Sequence, residues 1–312
     1  MKIIFLGSPL FSVNVLKQLL SDGNHTVLAA VCQPDKKGNR NKMTSCEVKK
    51  FAIDNGIPVF DWENINDHVE KLKSIGSDVL VTAAYGQMLS QDVLNVAKYG
   101  VINVHGSLLP KLRGASPVQR AVMEGWNETG VTIVKSVLKM DAGPYLSQAK
   151  VEILPTDTAD SVFDKMAVVG GRLLAETLTE LEEGRATYTE QDLNEVTFCK
   201  KIKAQEEKID WTQPANVVSA RIRGLSSNPS AYTYFGGKRF KVFNCVLADG
   251  NQSDKRAGEI TYTKKQLLVT CGDGNTLSLT DVQAAEGKRM RAADFLNGLK
   301  VRPDAFSDEE GL

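Results

Sequence analysis

The first hundred residues alternate short apolar runs with helical patterns, and this alternation most strongly limits how the chain can fold. Short, nearly continuous apolar runs are typical of strands buried on both faces of a parallel sheet. After the first run, apolar residues from Leu10 to Leu20 recur at helical spacing. The pattern predicts an α/β fold with a Rossmann-like, doubly wound, mostly parallel sheet. The predicted strands are residues 3–6, 27–32, 57–59, 78–82 and 101–104.

The second half has a different pattern, which predicts a separate small domain. A long helical pattern at 158–183 ends at Gly184. Beyond residue 206, short alternating strands separated by glycines predict a small OB-like β-barrel. The acidic segment 304–310 is expected to be a solvated tail. We therefore expect a first domain at 1–184, a linker at 185–205 and an OB-like domain at 206–312.

A polar pair stands at the end of the fifth predicted strand. Asn103 and His105 are two residues apart, so their side chains project from the same face of a strand. Gly106 and Pro110 then end the strand pattern and predict a turn-rich loop. In parallel sheets, ligands bind beyond the carboxyl ends of the strands. An amide donor beside an imidazole suits a reaction that stabilises an oxyanion and moves a proton, although a buried histidine bonded to a local amide is the alternative.

Composition excludes several classes of protein. Lys plus Arg and Asp plus Glu both number 38, so net charge neither favours nor excludes a nucleic-acid partner. The five cysteines include no C-x-x-C spacing, which favours reduced thiols and predicts neither a disulfide framework nor a zinc site. No apolar run approaches the roughly 18 residues of a membrane span. We therefore expect a cytoplasmic protein that binds no metal and no membrane.

The segment around Asn103 and His105 carries a longer motif. It reads Asn103-x-His105-x-Ser107-Leu108-Leu109-Pro110, followed by Arg113-Gly114-x-x-Pro117 and, further along, Asp141-x-Gly143. These three motifs, at these distances, resemble the signature of the folate-dependent formyltransferase family. The resemblance covers nearly the whole chain, because segments near residues 200–211, 221–233 and 287–298 also resemble the family's C-terminal sequence.

This resemblance implies a reaction and a set of catalytic residues. A formyl group would pass from N10 of 10-formyltetrahydrofolate, a co-substrate, directly to a primary amine, with no metal. Asn103 and His105 would donate to the tetrahedral oxyanion, and His105 and Asp141 would handle the proton. Residues 136–140 differ from the family's usual sequence before the aspartate, so the contacts of the loop 136–144 are left open.

The resemblance also implies where the folate binds. Two loops would contact it, one directly after His105 and one matching the family's Ala-Tyr-Gly-x-x-Leu segment. Without the family, an ordinary connection from strand to helix is the favoured interpretation of the second loop. The expected folate-binding residues are Ser107, Leu108, Leu109, Pro110, Tyr85, Gly86, Met88 and Leu89.

The acceptor is predicted from basic residues outside these loops. The loop 33–42 resembles that of family members acting on methionyl-initiator tRNA, and its lack of aromatic residues suits phosphate contact better than base stacking. A solvated mobile loop is the alternative interpretation of such a run. We expect one monomer to bind one tRNA. The expected tRNA-binding residues are Lys36, Lys37, Arg40, Lys42, Lys200, Lys201 and Lys203.

Three other functions remain open on the sequence alone. A formyltransferase for an amino-sugar nucleotide would share the same chemistry, although we expect its first loop to be acidic or neutral. A 10-formyltetrahydrofolate hydrolase could use the same three residues to activate water. An RNA-binding protein with a degenerate catalytic domain is the third, and the intact set of Asn103, His105 and Asp141 argues against it.

Overall fold

The chain folds into two compact units, and each unit is built from three segments that alternate along the sequence. The computed structural model describes residues 1–37, 43–249, 253–307, 309 and 311. The first unit consists of Met1–Ala115, Thr129–Val151 and Phe163–Cys199. The second unit consists of Ser116–Glu128, Glu152–Val162 and Lys200–Leu312.

The chain up to residue 199 alternates strands and helices, as its apolar periodicity predicts. The strands are β1 (Lys2–Gly7), β2 (Thr26–Val31), β3 (Lys36–Lys37), β4 (Met43–Thr44), β5 (Val59–Phe60), β6 (Val79–Ala83), β7 (Val101–His105), β8 (Arg113–Gly114), β9 (Glu128–Lys135), β10 (Tyr145–Glu152) and β11 (Phe198–Cys199). The helices are α1 (Leu10–Asp22), α2 (Glu47–Asp54), α3 (Val69–Ile75), α4 (Gln91–Leu94), α5 (Pro117–Met123) and α6 (Ala159–Glu182).

A largely parallel sheet organises the first unit. Among the described residues, seven strands form it in the order β10-β9-β7-β6-β1-β2-β5. The pairs β2–β5, β1–β2, β1–β6 and β6–β7 are parallel, whereas β9 runs antiparallel to β7. This arrangement confirms the predicted Rossmann-like, mostly parallel sheet. It also places the carboxyl ends of β6 and β7 next to each other, where Thr82 of β6 pairs in register with Asn103 of β7.

The second unit is built on an antiparallel sheet. Its strands and helices beyond residue 199 are α7 (Ala215–Leu225), β12 (Ala231–Phe235), β13 (Lys238–Leu247), β14 (Ile260–Tyr262), β15 (Leu267–Thr270), β16 (Thr276–Gln283), β17 (Met290–Arg291) and α8 (Ala292–Asn297). The order is β12-β13-β16-β15-β14, with β17 against β16. The curled antiparallel sheet confirms the predicted OB-like C-terminal domain.

The predicted solvated tail is wrong for residues 304–307, because these residues close the barrel. Ala305 bridges to Glu259 beside β14, and Ser307 bridges to Tyr234 of β12. The segment thus joins the two edge strands of the sheet and pairs backbone groups that an open edge would leave exposed. Phe306 is only 7% exposed and stacks on Trp211. Burial of one aromatic ring and pairing of two edges outweigh the acidic composition around them.

An ion pair between Arg120 and Glu206 gives the second unit a pH-dependent contribution to stability. Arg120 Nη1 lies 2.5 Å from Glu206 Oε1, and this contact lowers the pKa of Glu206 from 4.5 to about 2. The carboxylate therefore stabilises the folded state fully above about pH 4.5, and this stabilisation is lost as pH falls toward 2. We expect Glu206→Gln to reduce stability by about 1–2 kcal/mol at neutral pH.

Thermal unfolding of wild type and Glu206→Gln across pH 2–7 measures this effect. The difference in Tm should shrink as pH falls below 4.5. A difference that stays constant down to pH 2 would contradict the assignment. Glu207→Gln is the matched control, because its partner Arg239 is 47% exposed and the pair should contribute little.

Candidate active site

The carboxyl end of β7 presents the predicted polar pair. His105 is 5% exposed and Asn103 is half-buried. The side-chain oxygen of Asn103 accepts a hydrogen bond from the Thr82 hydroxyl at 2.8 Å. This bond orients the amide, because with the oxygen turned toward Thr82 the Nδ2 donor faces the other way. The sequence analysis did not identify Thr82. Its position at the end of the strand next to β7 could have predicted a contact with Asn103.

The Asp141 side chain lies beside His105. Its Oδ1 lies 3.6 Å from His105 Nδ1, and its side chain is 12% exposed. On the other side of the ring, His105 Nε2 lies 3.1 Å from the carbonyl oxygen of Leu112. A carbonyl only accepts hydrogen bonds, so Nε2 carries a hydrogen, and Nδ1 is the ring atom that faces the Asp141 carboxylate. The carboxylate of Asp141 is placed to stabilise positive charge at that atom.

Backbone contacts hold the Asp141 carboxylate in place. Oδ2 accepts a hydrogen bond from the Gly114 N–H at 2.8 Å. Gly114 has φ +125°, and a Cβ there would collide with the carbonyl oxygen of Cys199. A side chain at position 114 would therefore displace the donor that positions Asp141, so only glycine suits this turn.

A buried hydrogen-bond network supports the loop that carries Asp141. Gln191 Nε2 donates to the carbonyl oxygens of Asp141 and Gly143, at 2.8 and 2.7 Å. Gln191 Oε1 accepts from Arg113 Nε and Nη2 at 3.0 and 2.8 Å. Gln191 falls in the stretch predicted as a linker, 185–205, of which residues 185–199 belong to the first unit. Its role could not be predicted, because no local pattern marks a lone glutamine as the partner of a loop 50 residues away.

The loop after His105 is rigidly held by its own polar groups. Ser107 is fully buried and its hydroxyl donates to the Lys111 carbonyl at 2.6 Å. Thr132 donates to the Ser107 carbonyl and accepts from the Leu109 N–H. Leu109 is 3% exposed, whereas Leu108 and Pro110 are partly exposed. Ser107 and Leu109 thus shape the loop. Of the folate-binding residues predicted in this loop, Leu108 and Pro110 are the two whose side chains are accessible to a ligand.

The second predicted folate loop follows the neighbouring strand, β6. The Tyr85 side chain packs in the core at 4% exposure, while its carbonyl oxygen accepts from Gln33 Nε2 at 3.1 Å. Gly86 is exposed with φ +88°, and Met88 is 59% exposed. Leu89 packs partly against the same core as Tyr85. Any contact of this loop with a ligand would therefore involve the backbone near Tyr85 and Gly86 and the Met88 side chain.

The predicted tRNA-binding residues are found in both units. In the first, Lys36 and Lys37 form β3, which pairs with β4, and the Lys36 side chain is exposed. Arg40 and Lys42 lie outside the described residues. In the second unit, Lys200, Lys201 and Lys203 are exposed and precede a short 3-10 turn, Ala204–Glu206.

The described part of the chain holds neither a metal-binding cluster nor a membrane-spanning helix. No group of three or more His, Cys, Asp or Glu side chains within it is arranged to hold a metal ion. Within the same residues, every helix is too short or too polar to span a bilayer.

Two family models match the chain. The model described as formyl transferase matches residues 1–178, and the model described as formyl transferase, C-terminal domain, matches residues 201–300. The first match contains Asn103, His105 and Asp141.

Similar proteins divide into close relatives in sequence and more distant relatives in structure. The methionyl-tRNA formyltransferase of Listeria monocytogenes is 42% identical over 300 residues, which cover 95% of each chain. That of Pediococcus pentosaceus is 40% identical over 95% of this chain and 94% of its own. The crystal structure of WlaRD, a sugar 3N-formyl transferase solved with dTDP and 5-N-formyl-THF, has a TM-score of 0.67 at 18% identity. It covers 89% of this chain and 97% of its own, a likeness that extends to the fold alone.

Proposed function

The chain belongs to the formyl transferase family, and on this premise we propose that it transfers a formyl group to methionyl-initiator tRNA. The donor is 10-formyltetrahydrofolate, the formyl carrier of the family. The observation that carries the choice of acceptor is 40–42% identity to methionyl-tRNA formyltransferases across 95% of this chain. The sugar formyltransferase has the same fold at 18% identity, which gives no comparable support for a sugar acceptor.

We propose that the reaction proceeds by direct attack of the amine. The amino nitrogen of the methionyl group forms a bond to the formyl carbon, whose carbonyl oxygen becomes an oxyanion. The bond from this carbon to N10 of the folate then breaks, N10 gains a proton and the amine loses one. No bond to the enzyme forms, so the protein must orient the reactants, stabilise the oxyanion and move the proton.

Asn103, His105 and Asp141 fit these tasks. The orientation of Asn103 by Thr82 leaves Nδ2 as a donor for the oxyanion. His105 Nε2 already donates to Leu112, so His105 stabilises the oxyanion through Nδ1–H, in the imidazolium form. Asp141, 3.6 Å from that atom, balances the imidazolium charge, and we assign the passage of the proton from the amine to N10 to His105 and Asp141 together.

We propose the remaining roles from the sequence resemblance together with these placements. The residues after His105 and those at 85–89 bind the folate, since both loops follow carboxyl ends of adjacent parallel strands. Residues 1–184 carry the chemistry, supported by Gln191 of the segment 185–199, which belongs to the same compact unit. Residues 200–205 connect this unit to the domain 206–312, which contacts the tRNA together with Lys200, Lys201 and Lys203. We propose that the protein acts as a monomer in the cytoplasm, where a charged tRNA is available.

Lys36 is the residue of the loop 33–42 whose contribution to tRNA binding we test, because its side chain is described and exposed. Its side chain is exposed, whereas Lys49, beyond the loop, is held by Asp35 and Asp61 at 2.9 and 2.7 Å. We expect Lys36→Ala to weaken binding of methionyl-tRNA and to reduce the slope of log Kd against log salt by about 0.7–0.9, the value for one lost phosphate contact.

Titrations at several salt concentrations measure this slope. Lys50→Ala is the matched control, because Lys50 is paired with Glu47 on α2 and should leave the slope unchanged. An unchanged slope in Lys36→Ala would remove Lys36 from the interface.

The fate of the formyl group tests the proposed reaction against hydrolysis. The protein is mixed with donor carrying a labelled formyl group, with and without methionyl-initiator tRNA. We expect label in formyl-methionyl-tRNA and little formate when tRNA is absent. Formate release at the same rate with or without tRNA would favour the hydrolase and overturn transfer.

A further inference from the structure

A side-chain amide joins the second predicted folate loop, residues 85–89, to an earlier segment of the chain. Gln87 Oε1 accepts a hydrogen bond from the Ile65 N–H at 2.9 Å. Gln87 Nε2 donates to the carbonyl oxygens of Trp62 and Glu63 at 3.1 and 3.2 Å. Both polar ends of this amide therefore bond to the backbone of the earlier segment.

Asn66 joins the same two parts of the chain from the other side. Its Oδ1 accepts from the Ser90 N–H at 2.7 Å, and its Nδ2 donates to the Met88 carbonyl oxygen at 3.0 Å. Ser90 is also the residue that caps the start of α4. The hydrogen bonds of Gln87 and Asn66 thus tie the middle and the end of the loop to residues 62–66, which we call the anchor segment.

The anchor segment is itself held by packing. Ile65 is fully buried in the same core as the Tyr85 ring. The Trp62 ring stacks on Phe60 and on His68, with ring centroids 4.8 and 4.3 Å apart. Phe60 ends β5, which pairs in parallel with β2 and so joins this stack to the sheet. The loop is therefore attached to a part of the protein that the sheet and the core hold in place.

The backbone around the loop adopts a conformation that needs such support. Ala84, just before the loop, has φ +47°, and Gly86 has φ +88°. A residue with a Cβ rarely adopts a positive φ unless the surrounding structure imposes it. Tyr85 points into the core, whereas Gly86 and Met88 are exposed. An inward-facing Gln87 therefore holds Gly86 and Met88 on the exposed side of the loop.

We propose that Gln87 and Asn66 are positioning residues for the formyl donor. By tying the loop to the anchor segment, they hold its backbone and the Met88 side chain in the arrangement that binds the folate. A loop that is ordered before its ligand arrives loses less entropy on binding, so the donor binds more tightly. The family's Ala-Tyr-Gly-x-x-Leu motif leaves position 87 open, so the motif does not assign this role. The inference rests on the proposed function in one respect, that this loop binds the folate.

Loss of the Gln87 amide should weaken donor binding and leave the chemical step almost unchanged. We expect Gln87→Ala to raise the KM for 10-formyltetrahydrofolate at least about tenfold, with kcat within about threefold of wild type. The reason is that the loop holds the folate equally in the ground state and in the transition state, and loss of such uniform binding changes KM. Asn66→Ala should act in the same direction.

Gln87→Met separates hydrogen bonding from packing. Methionine keeps nearly the length and volume of glutamine but offers no strong donor or acceptor. If the hydrogen bonds position the loop, Gln87→Met should bind the donor as weakly as Gln87→Ala does. Gln91→Ala is the matched control, because the Gln91 amide donates to Asn95 at the end of α4, and its loss should leave donor binding unchanged.

Calorimetric titration of the full-length protein with 5-formyltetrahydrofolate tests the inference without turnover. This compound keeps the folate framework but carries its formyl group on N5. The Kd should rise at least about tenfold in Gln87→Ala and Gln87→Met and stay unchanged in Gln91→Ala. Hydrogen exchange without ligand should be faster in peptides covering 62–66 and 85–89 of Gln87→Ala, and unchanged in a peptide covering β1.

The outcomes distinguish this inference from the proposed function. If wild type and Gln87→Ala bind 5-formyltetrahydrofolate equally tightly, or if Gln87→Met binds like wild type, the inference is wrong and the proposed function stands. A fall in kcat larger than the rise in KM would also contradict a positioning role. Failure of wild type to bind this compound would overturn the proposed function, and the inference with it. Should Gln87→Ala fail to fold by circular dichroism, Asn66→Ala gives the same comparison, since it removes the bonds to Met88 and Ser90.

Discussion

Asp141→Asn should lose at least about 100-fold in kcat while the protein keeps its fold. Asparagine has the same shape, and its oxygen can still accept from the Gly114 N–H, so the loop should remain in place. It cannot accept the amine proton or balance charge on His105, 3.6 Å away. Steady-state rates of formyl transfer, with circular dichroism as the test of folding, measure the effect.

Two variants make this result specific. His105→Ala should lose a similar factor, and the double variant should lose little more, because residues that act as a unit are not additive. Asp192→Asn is the matched control, since Asp192 caps the short turn Leu193–Glu195 of the same unit and should leave kcat unchanged. Wild-type kcat in Asp141→Asn, or full additivity in the double variant, would contradict shared proton handling.

Asn103→Ala should lower kcat by about 10²–10³-fold, the usual effect of removing one oxyanion donor. The KM for the donor should change less, because the amide acts on charge that develops only in the transition state. Thr82→Val is a graded companion. It removes the hydroxyl that orients Asn103 at 2.8 Å but keeps the side-chain volume, and should cost about tenfold.

The changes in kcat and KM of Asn103→Ala and Thr82→Val must be compared with each other. A loss confined to KM in Asn103→Ala would mean that the amide binds substrate and has no special role in the transition state. A Thr82→Val enzyme less active than Asn103→Ala would show that Thr82 acts by itself and does not work through Asn103.

The parallel sheet and its polar edge could be predicted from the sequence because both are local patterns. A strand buried on both faces is a nearly continuous apolar run, so β7 was predicted at 101–104 and is found at Val101–His105. The two-residue spacing of Asn103 and His105 then fixes their common side of the strand. The three motifs added Asp141, which no periodicity would have connected with His105.

The structural features that the sequence did not predict all depend on contacts between distant parts of the chain. Gln191 supports the Asp141 loop from a segment without regular pattern, and Arg113, 2% exposed, is buried because Gln191 accepts its hydrogen bonds. Residues 304–307 close the barrel although their composition is typical of a solvated tail. Tyr85 belongs to a matched motif, yet the motif does not reveal that its ring points into the core. Composition and spacing report the local environment, whereas these placements are decided by which segments meet.

The ratio of kcat/KM values for two acceptors tests the central claim most directly. Methionyl-initiator tRNA and a dTDP-linked amino sugar are compared with the same protein and the same donor, 10-formyltetrahydrofolate. We expect transfer to the charged tRNA to be favoured by at least about 10³-fold, because the tRNA backbone supplies binding energy that the sugar nucleotide lacks. A ratio near one, or one that favours the amino sugar, would contradict the proposed acceptor and leave only the formyl-transfer chemistry.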